Sequence, residues 1–125
     1  MIVFSLPDED EEFLTANFPS QWGKCTEGTK RGIIISEYRL PDGIYTRDKS
    51  DLMLIIPTDY PVGMIDMFYF DPALSRKNGK PIAALVCETH FERNWQRWSR
   101  HYIWEPGIHS IISHVSYVQN QLKYD

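Results

Sequence analysis

Three observations predict an α+β architecture for residues 1–125, a single domain by length. Short apolar segments broken by Pro and Gly turns fill the middle of the chain. An acidic segment with one apolar face precedes them, and two segments with helical spacing follow. Turn-rich connectors this short favour an antiparallel meander over a parallel sheet, whose crossovers are longer.

Leu6-Pro7-Asp8 opens the first helix. Asp8 is the expected N-cap, carboxylates fill the first turn, and Phe13, Leu14 and Phe18 supply the apolar face until Pro19 ends it. Four strands are expected next: Trp22 to Thr26, Gly32 to Leu40, Asp51 to Pro57 and Asp66 to Phe70. Pro41-Asp42-Gly43 is a turn, because proline presets one dihedral and glycine accepts a positive one. Tyr60-Pro61 interrupts any ladder, since Pro61 has no N–H to give. Asp71-Pro72 leaves the sheet, Asn78-Gly79 turns, and Ile82 to Val86 is an apolar run ending at Cys87.

The stretch Phe91 to Trp104, FERNWQRWSRHYIW, holds three of the four tryptophans. Phe91, Trp95, Trp98 and Tyr102 recur at spacings of four, three and four, which predicts a helix with an aromatic stripe. Arg93, Arg97 and Arg100 fall on another face of that helix. Burial of the stripe on the sheet would contribute about 1.5–3 kcal/mol per side chain. Glu105-Pro106-Gly107 breaks the helix. A closing amphipathic helix is predicted from Ile108 through Ile111, Ile112, Val115, Val118 and Leu122, with Gln119 the one polar position on that face.

Composition removes several classes. The net charge of −4 argues against broad nucleic-acid binding, and no apolar run approaches the roughly 18 residues of a membrane span. The start, MIVFSLPDEDEE, lacks the basic and apolar regions of a signal peptide, so a cytoplasmic setting is expected. Cys25 and Cys87 make neither a disulfide framework nor a zinc pattern, and His109 and His114, five apart, do not share a helix face as ligands. Neither a metal nor another cofactor is expected. The run DEDEE at 8–12 suits a helix start as well as an acidic docking site.

The order of elements, with Tyr60-Pro61, the strand Met67-Phe68-Tyr69-Phe70 before Asp71-Pro72, Asn78-Gly79 and Trp104-Glu105-Pro106-Gly107, resembles the ubiquitin-conjugating enzyme fold. The runs YRLPDGIY, DYPVGMIDMFYFDP and WQRWSRHYIWEPG look like its bacterial branch, prokaryotic family E. The resemblance implies an N-terminal helix, a four-stranded antiparallel meander and C-terminal helices. It also implies a role in passing a ubiquitin-like protein from a ThiF-type activating enzyme to a target amine, or in binding such a protein without catalysis. Two departures stand out: the chain has no His-Pro-Asn, and the position expected for the nucleophilic cysteine falls near Ile82, five residues before Cys87.

A carrier of this kind needs a nucleophile and donors for the oxyanion formed on attack. Cys87 is one candidate, with His90 and Arg93 downstream, although a cysteine after Ala-Ala-Leu-Val also suits a buried apolar position. Ser99 is the other, with His101 as base and Arg97 or Arg100 at the oxyanion, although it also suits an ordinary surface serine. The resemblance further implies that Arg97, Trp98 and Trp104 contact the ubiquitin-like protein. Cys25 is read as structural.

Overall fold

The structure, a computed structural model, describes residues 4–124. Helix α1 (Asp8–Asn17) is followed by β1 (Trp22–Glu27), β2 (Lys30–Arg39), β3 (Lys49–Ile56), β4 (Phe68–Asp71), β5 (Leu85–His90) and β6 (Arg93–Trp98). Helix α2 (Ile111–Tyr124) closes the chain. The strands form one antiparallel sheet in the order β1-β2-β3-β4-β6-β5. The expected meander is therefore present as β1 to β4, and a further hairpin extends it to six strands.

That hairpin replaces the helix expected over Phe91 to Trp104. Phe91 and Glu92 both have positive φ, 54° and 61°, and form a two-residue turn with no room for a first helical turn. The residues beyond it run as strand β6, where side chains alternate between faces. Trp95 and Trp98 are an odd number apart, so they point to opposite sides of the sheet. Trp98 is fully buried among Phe68, Phe70 and Tyr45 in the main core. Trp95 is equally buried on the other face with Met53 and Tyr69, flanked by Ile34, Ile55 and Phe91. An aromatic spacing that mimics a helix is here a strand covered on both faces.

The main core lies between the sheet and the two helices, with Leu14 of α1 and Ile111, Val115, Val118 and Leu122 of α2 facing Ile33, Ile35, Leu52 and Leu54. We call this side of the sheet inner. On the outer side the sheet curls, bringing the β5–β6 turn back to the β1–β2 turn. Lys30 Nζ donates to His90 Nδ1 at 2.8 Å, the Phe91 N–H donates to Glu27 Oε1 at 3.2 Å, and the Phe91 ring lies on Gly32. A Cβ at Gly32 would sit 2.8 Å from Phe91 Cε2, so this approach requires glycine.

Both helix starts differ from expectation. The N-cap of α1 is Pro7, whose carbonyl accepts from the N–H groups of Asp10 and Glu11; Asp8 is exposed and caps nothing. The acidic run is nonetheless largely a helix start, with Asp8 to Glu11 in the first turn. Asp10 is buried and accepts from the Tyr60 hydroxyl at 2.6 Å; the same Tyr60 oxygen accepts from the Ile111 N–H at 2.7 Å. One phenol thus ties α1 to α2. Helix α2 begins at Ile111 because Ser110 Oγ accepts from the Ile112 N–H. Ile108 lies before it and is exposed, outside the apolar face assigned to it.

His114 of α2 is wholly buried. Its Nε2–H donates to the Met67 carbonyl at 2.9 Å and its Nδ1 accepts from the Tyr102 hydroxyl at 2.7 Å. Burial pushes its pKa down to about 4, only partly offset by the Met67 bond and the charge of Asp66.

Trp98→Ala should lower unfolding free energy by about 3–5 kcal/mol in urea titration, because nothing nearby can refill the space. The same change at exposed Ile103 should cost no more than about 0.5 kcal/mol. Because the unfolded chain binds a proton at the ordinary histidine pKa and the folded chain only near 4, His114 contributes stability above about pH 6.5. That contribution, on the order of 3 kcal/mol, is lost as pH falls toward 4. Glu11, Glu27 and Glu88, lowered from the ordinary 4.5 by their cationic partners, add losses of the same sign that begin near pH 4.5, and Asp10, raised from the ordinary 3.8 by burial, acts with the opposite sign. His114→Gln should flatten the stability profile between pH 6.5 and 4.

Candidate functional site

After β4 the chain leaves the sheet at Pro72 and crosses residues 72–84 without regular structure before entering β5. Side chains hold this crossing in place. Gln96 Oε1 accepts from the Leu74 N–H at 2.9 Å and its Nε2 donates to the Leu74 carbonyl at 3.1 Å, so one amide replaces a strand partner. Ser50 Oγ donates to the Pro72 carbonyl at 2.6 Å, and the Arg100 guanidinium donates to the Ala83 carbonyl at 3.0 Å. Backbone bonds from Thr46 to Ser75 and from Lys77 to Ile44 fasten the far side, and the Asn78-Gly79 turn forms as expected, with Gly79 at φ 77°.

Between this crossing and the inner side of β5 and β6 a groove of about 380 Å³ opens. It is lined by Phe70, Ala73, Leu85, Cys87, Asn94 and Gln96, with Asp71, Val86 and Trp95 at its margins. Cys87 is exposed, and it pairs in register with Gln96, which places its thiol on the inner side. The apolar residues before it therefore do not bury it. The Thr89 hydroxyl donates to Asn94 Oδ1 at 2.8 Å, which fixes the Asn94 carbonyl and leaves its NH₂ as a donor at the groove. Asp71 is the one charged lining residue, and Arg93 pairs with it at 2.9 Å and with Asp51 at 3.0 Å. His90 and Arg93, expected beside the thiol, are engaged elsewhere: His90 with Lys30 and Glu88, Arg93 with these two carboxylates.

Ser99 lies on the other side of the sheet. The Arg100 N–H donates to the Trp98 carbonyl at 3.0 Å, a three-residue turn centred on Ser99. Ser99 Oγ accepts from Arg97 Nε at 3.1 Å, and Arg97 also pairs with Glu88. Hydrogen bonding from His90, opposed by burial and reinforced by the charge of Arg97, holds the Glu88 carboxyl below its ordinary range. A polar ladder thus runs Ser99–Arg97–Glu88–His90–Lys30–Glu27 along the outer surface.

The remaining candidates separate. His101 is exposed and its Nδ1–H donates to Asp66 at 2.7 Å, not to Ser99, leaving Nε2 as the basic nitrogen. Asp66, which the sequence placed only at the head of a strand, is therefore a possible orienting group. Arg100 is largely buried, 5.0 Å over the Trp98 ring on the inner side, and burial lowers its pKa. Its guanidinium braces the backbone carbonyls of Ala83, at 3.0 Å, and Ser99, at 3.4 Å, and the Ser99 hydroxyl is held by Arg97. Trp98 is in the core and has no surface to offer a partner, in contrast to the binding role implied for it. Trp104 is half-buried: its indole N–H donates to the Pro61 carbonyl at 3.0 Å and its ring meets Tyr60 and Tyr102. Two separate landmarks of the sequence, Tyr60-Pro61 and Trp104-Glu105-Pro106-Gly107, are thus in contact. Cys25 is half-buried in β1 and burial pushes its thiol up to about 11, in keeping with a structural role.

No group of three or more metal-binding side chains occurs among the described residues, and no described helix is long and apolar enough to cross a membrane. No curated protein and no solved structure matches the chain. A family model described as prokaryotic E2 family E matches residues 6–125, nearly the whole chain and every element of the fold described above. The chain belongs to prokaryotic E2 family E, and its α+β architecture is that of an E2-like protein.

Proposed function

We propose that this chain carries a ubiquitin-like protein as a thioester on Cys87 and passes it to a target amine. The family places it in an E2-like role in a prokaryotic ubiquitination-like pathway. The observation that carries the finer reading is the exposed Cys87 thiol at the groove opened where the chain leaves the sheet at Pro72. In the first step the Cys87 thiolate attacks the activated C-terminal carbonyl held by a ThiF-type activating enzyme. A C–S bond forms and the activating enzyme's own group leaves. In the second step an amine attacks that carbonyl, a C–N bond forms, the amine loses a proton and Cys87 departs as thiolate. Asn94 is the donor in reach of the groove for the oxyanion formed in both steps. A thiol needs less activation than a hydroxyl near neutral pH, which suits a groove where His90 and Asp71 are engaged with Lys30, Glu88 and Arg93.

A second reading, an oxyester on Ser99, is favoured by one observation. The His101 Nδ1 is held by Asp66 at 2.7 Å, two residues from a hydroxyl already braced by Arg97. In that reading His101 takes the Ser99 proton as attack proceeds, and Arg97 and Trp104 meet the ubiquitin-like protein. Both readings place the reaction in the cytoplasm and require neither a metal nor an organic cofactor.

Intact-mass analysis after incubation with the activating enzyme, ATP and the ubiquitin-like protein separates these readings. The expected result is an adduct on the wild type that dithiothreitol removes, that Cys87→Ala abolishes and that Ser99→Ala retains. An adduct that resists reductant and disappears in Ser99→Ala and His101→Gln identifies the oxyester. No adduct on any variant, with the activating enzyme shown to be charged, removes both readings and leaves a binding module.

A further inference from the structure

β5 is the outermost strand of the sheet, and its outer edge pairs with nothing among the described residues. The direction of each backbone group follows from register. Ala84 stands opposite Ser99, and the Ser99 N–H donates to the Ala84 carbonyl at 3.1 Å. Antiparallel pairs alternate between hydrogen-bonded and non-hydrogen-bonded. The pairs 86/97, 88/95 and 90/93 are therefore hydrogen-bonded, and 90/93 is the pair that a two-residue turn closes. It follows that Leu85, Cys87 and Thr89 turn their N–H and C=O groups away from β6. The three residues with free backbone groups include the one that carries the thiol.

We infer that the β5 edge takes the extended C-terminal tail of the ubiquitin-like protein as a seventh strand. This inference rests on the carrier reading, and it adds how the tail is held. Pairing at Leu85, Cys87 and Thr89 gives main-chain hydrogen bonds without demanding any particular side chain. The groove supplies the rest of the selection. Its lining is apolar or amide-bearing, and its single carboxylate, Asp71, is already neutralised by Arg93. Such a groove suits an uncharged tail of small residues, whose backbone can approach the sheet closely enough to bring its terminal carbonyl to Sγ. The opposite edge of the sheet does not offer the same invitation: β1 carries Lys24, drawn to Glu11 of α1 at 2.7 Å, and a lysine on an edge discourages pairing. No lysine and no proline stands in β5, and Val86 is 44% exposed there.

Amide hydrogen exchange on the labelled chain tests this, with a short synthetic peptide ending in Gly-Gly as the probe. At saturating peptide the Leu85, Cys87 and Thr89 amides should exchange at about a tenth of their free rate or below, while those of Val86 and Glu88, already paired to β6, stay as they are. Cys87→Ala should keep this pattern, because the strand is built from backbone. A peptide N-methylated at alternate residues should lose the effect in one phase of alternation and keep it in the other. Unchanged exchange at the three amides in millimolar peptide overturns the inference, as does slowing spread evenly over all six strands. A thioester adduct on Cys87 with unchanged exchange removes the strand and leaves the carrier; slowed exchange with no adduct removes the carrier and leaves the strand.

Discussion

The structure depends on a constraint of period two acting on a single strand. β6 stands between β4 and β5, so its side chains must serve both faces of the sheet at once. Trp98 completes the inner core under the helices, and Trp95 builds a smaller outer core with Met53 and Tyr69. Around these anchors the polar residues of β6 take fixed duties. Gln96 holds the irregular crossing, Arg93 joins β3 to the end of β4 and lies 4.3 Å over the Trp95 ring, and Arg97 links Ser99 to Glu88. A shift of one residue along this strand would exchange the two faces and undo every one of these contacts.

This double burial is also what the sequence concealed. The other elements were legible: α1, the four meander strands and α2 lie within a few residues of where their patterns place them, although β3 and β4 are also buried on both faces, at Met53 and Tyr69 on the outer side. The helices show a single helical periodicity, and β3 and β4 read as short continuous apolar runs bounded by turn residues, too short for a buried helix. Around Phe91 the apolar residues belong to two faces, and a union of two strand patterns can imitate a helical one. Phe91-Glu92 carries no glycine or asparagine to announce a turn, although both residues adopt positive φ. The α1 cap differs for another reason: Pro7 holds the cap position with no side-chain hydrogen bond, so the preference that points to Asp8 finds no partner there.

The candidate site shows the same division. Cys87 and Ser99 were visible as nucleophile types in the right region, but their placement on opposite sides of the sheet follows from register, which no local pattern states. Asn94, Gln96 and Asp66 carried no signal at all, because each is defined by a partner 5 to 35 positions away: Thr89, Leu74 and His101. Trp98 and Arg100, prominent in the sequence, proved to be elements of support. Residue type points to chemistry, and only the fold decides whether that chemistry faces a partner.

The two ends of the sheet also set different terms for the molecule in solution. A bare strand edge does not distinguish an intended tail from another copy of itself, and a net charge of −4 over 125 residues provides only modest mutual repulsion. With β1 blunted by Lys24, β5 is the one bare edge among the described residues, and two copies meeting there would cover each other's β5. Self-association through this strand would therefore stop at pairs and not grow into fibres. A protein that keeps one edge open and charges the other limits the colloidal hazard of the first.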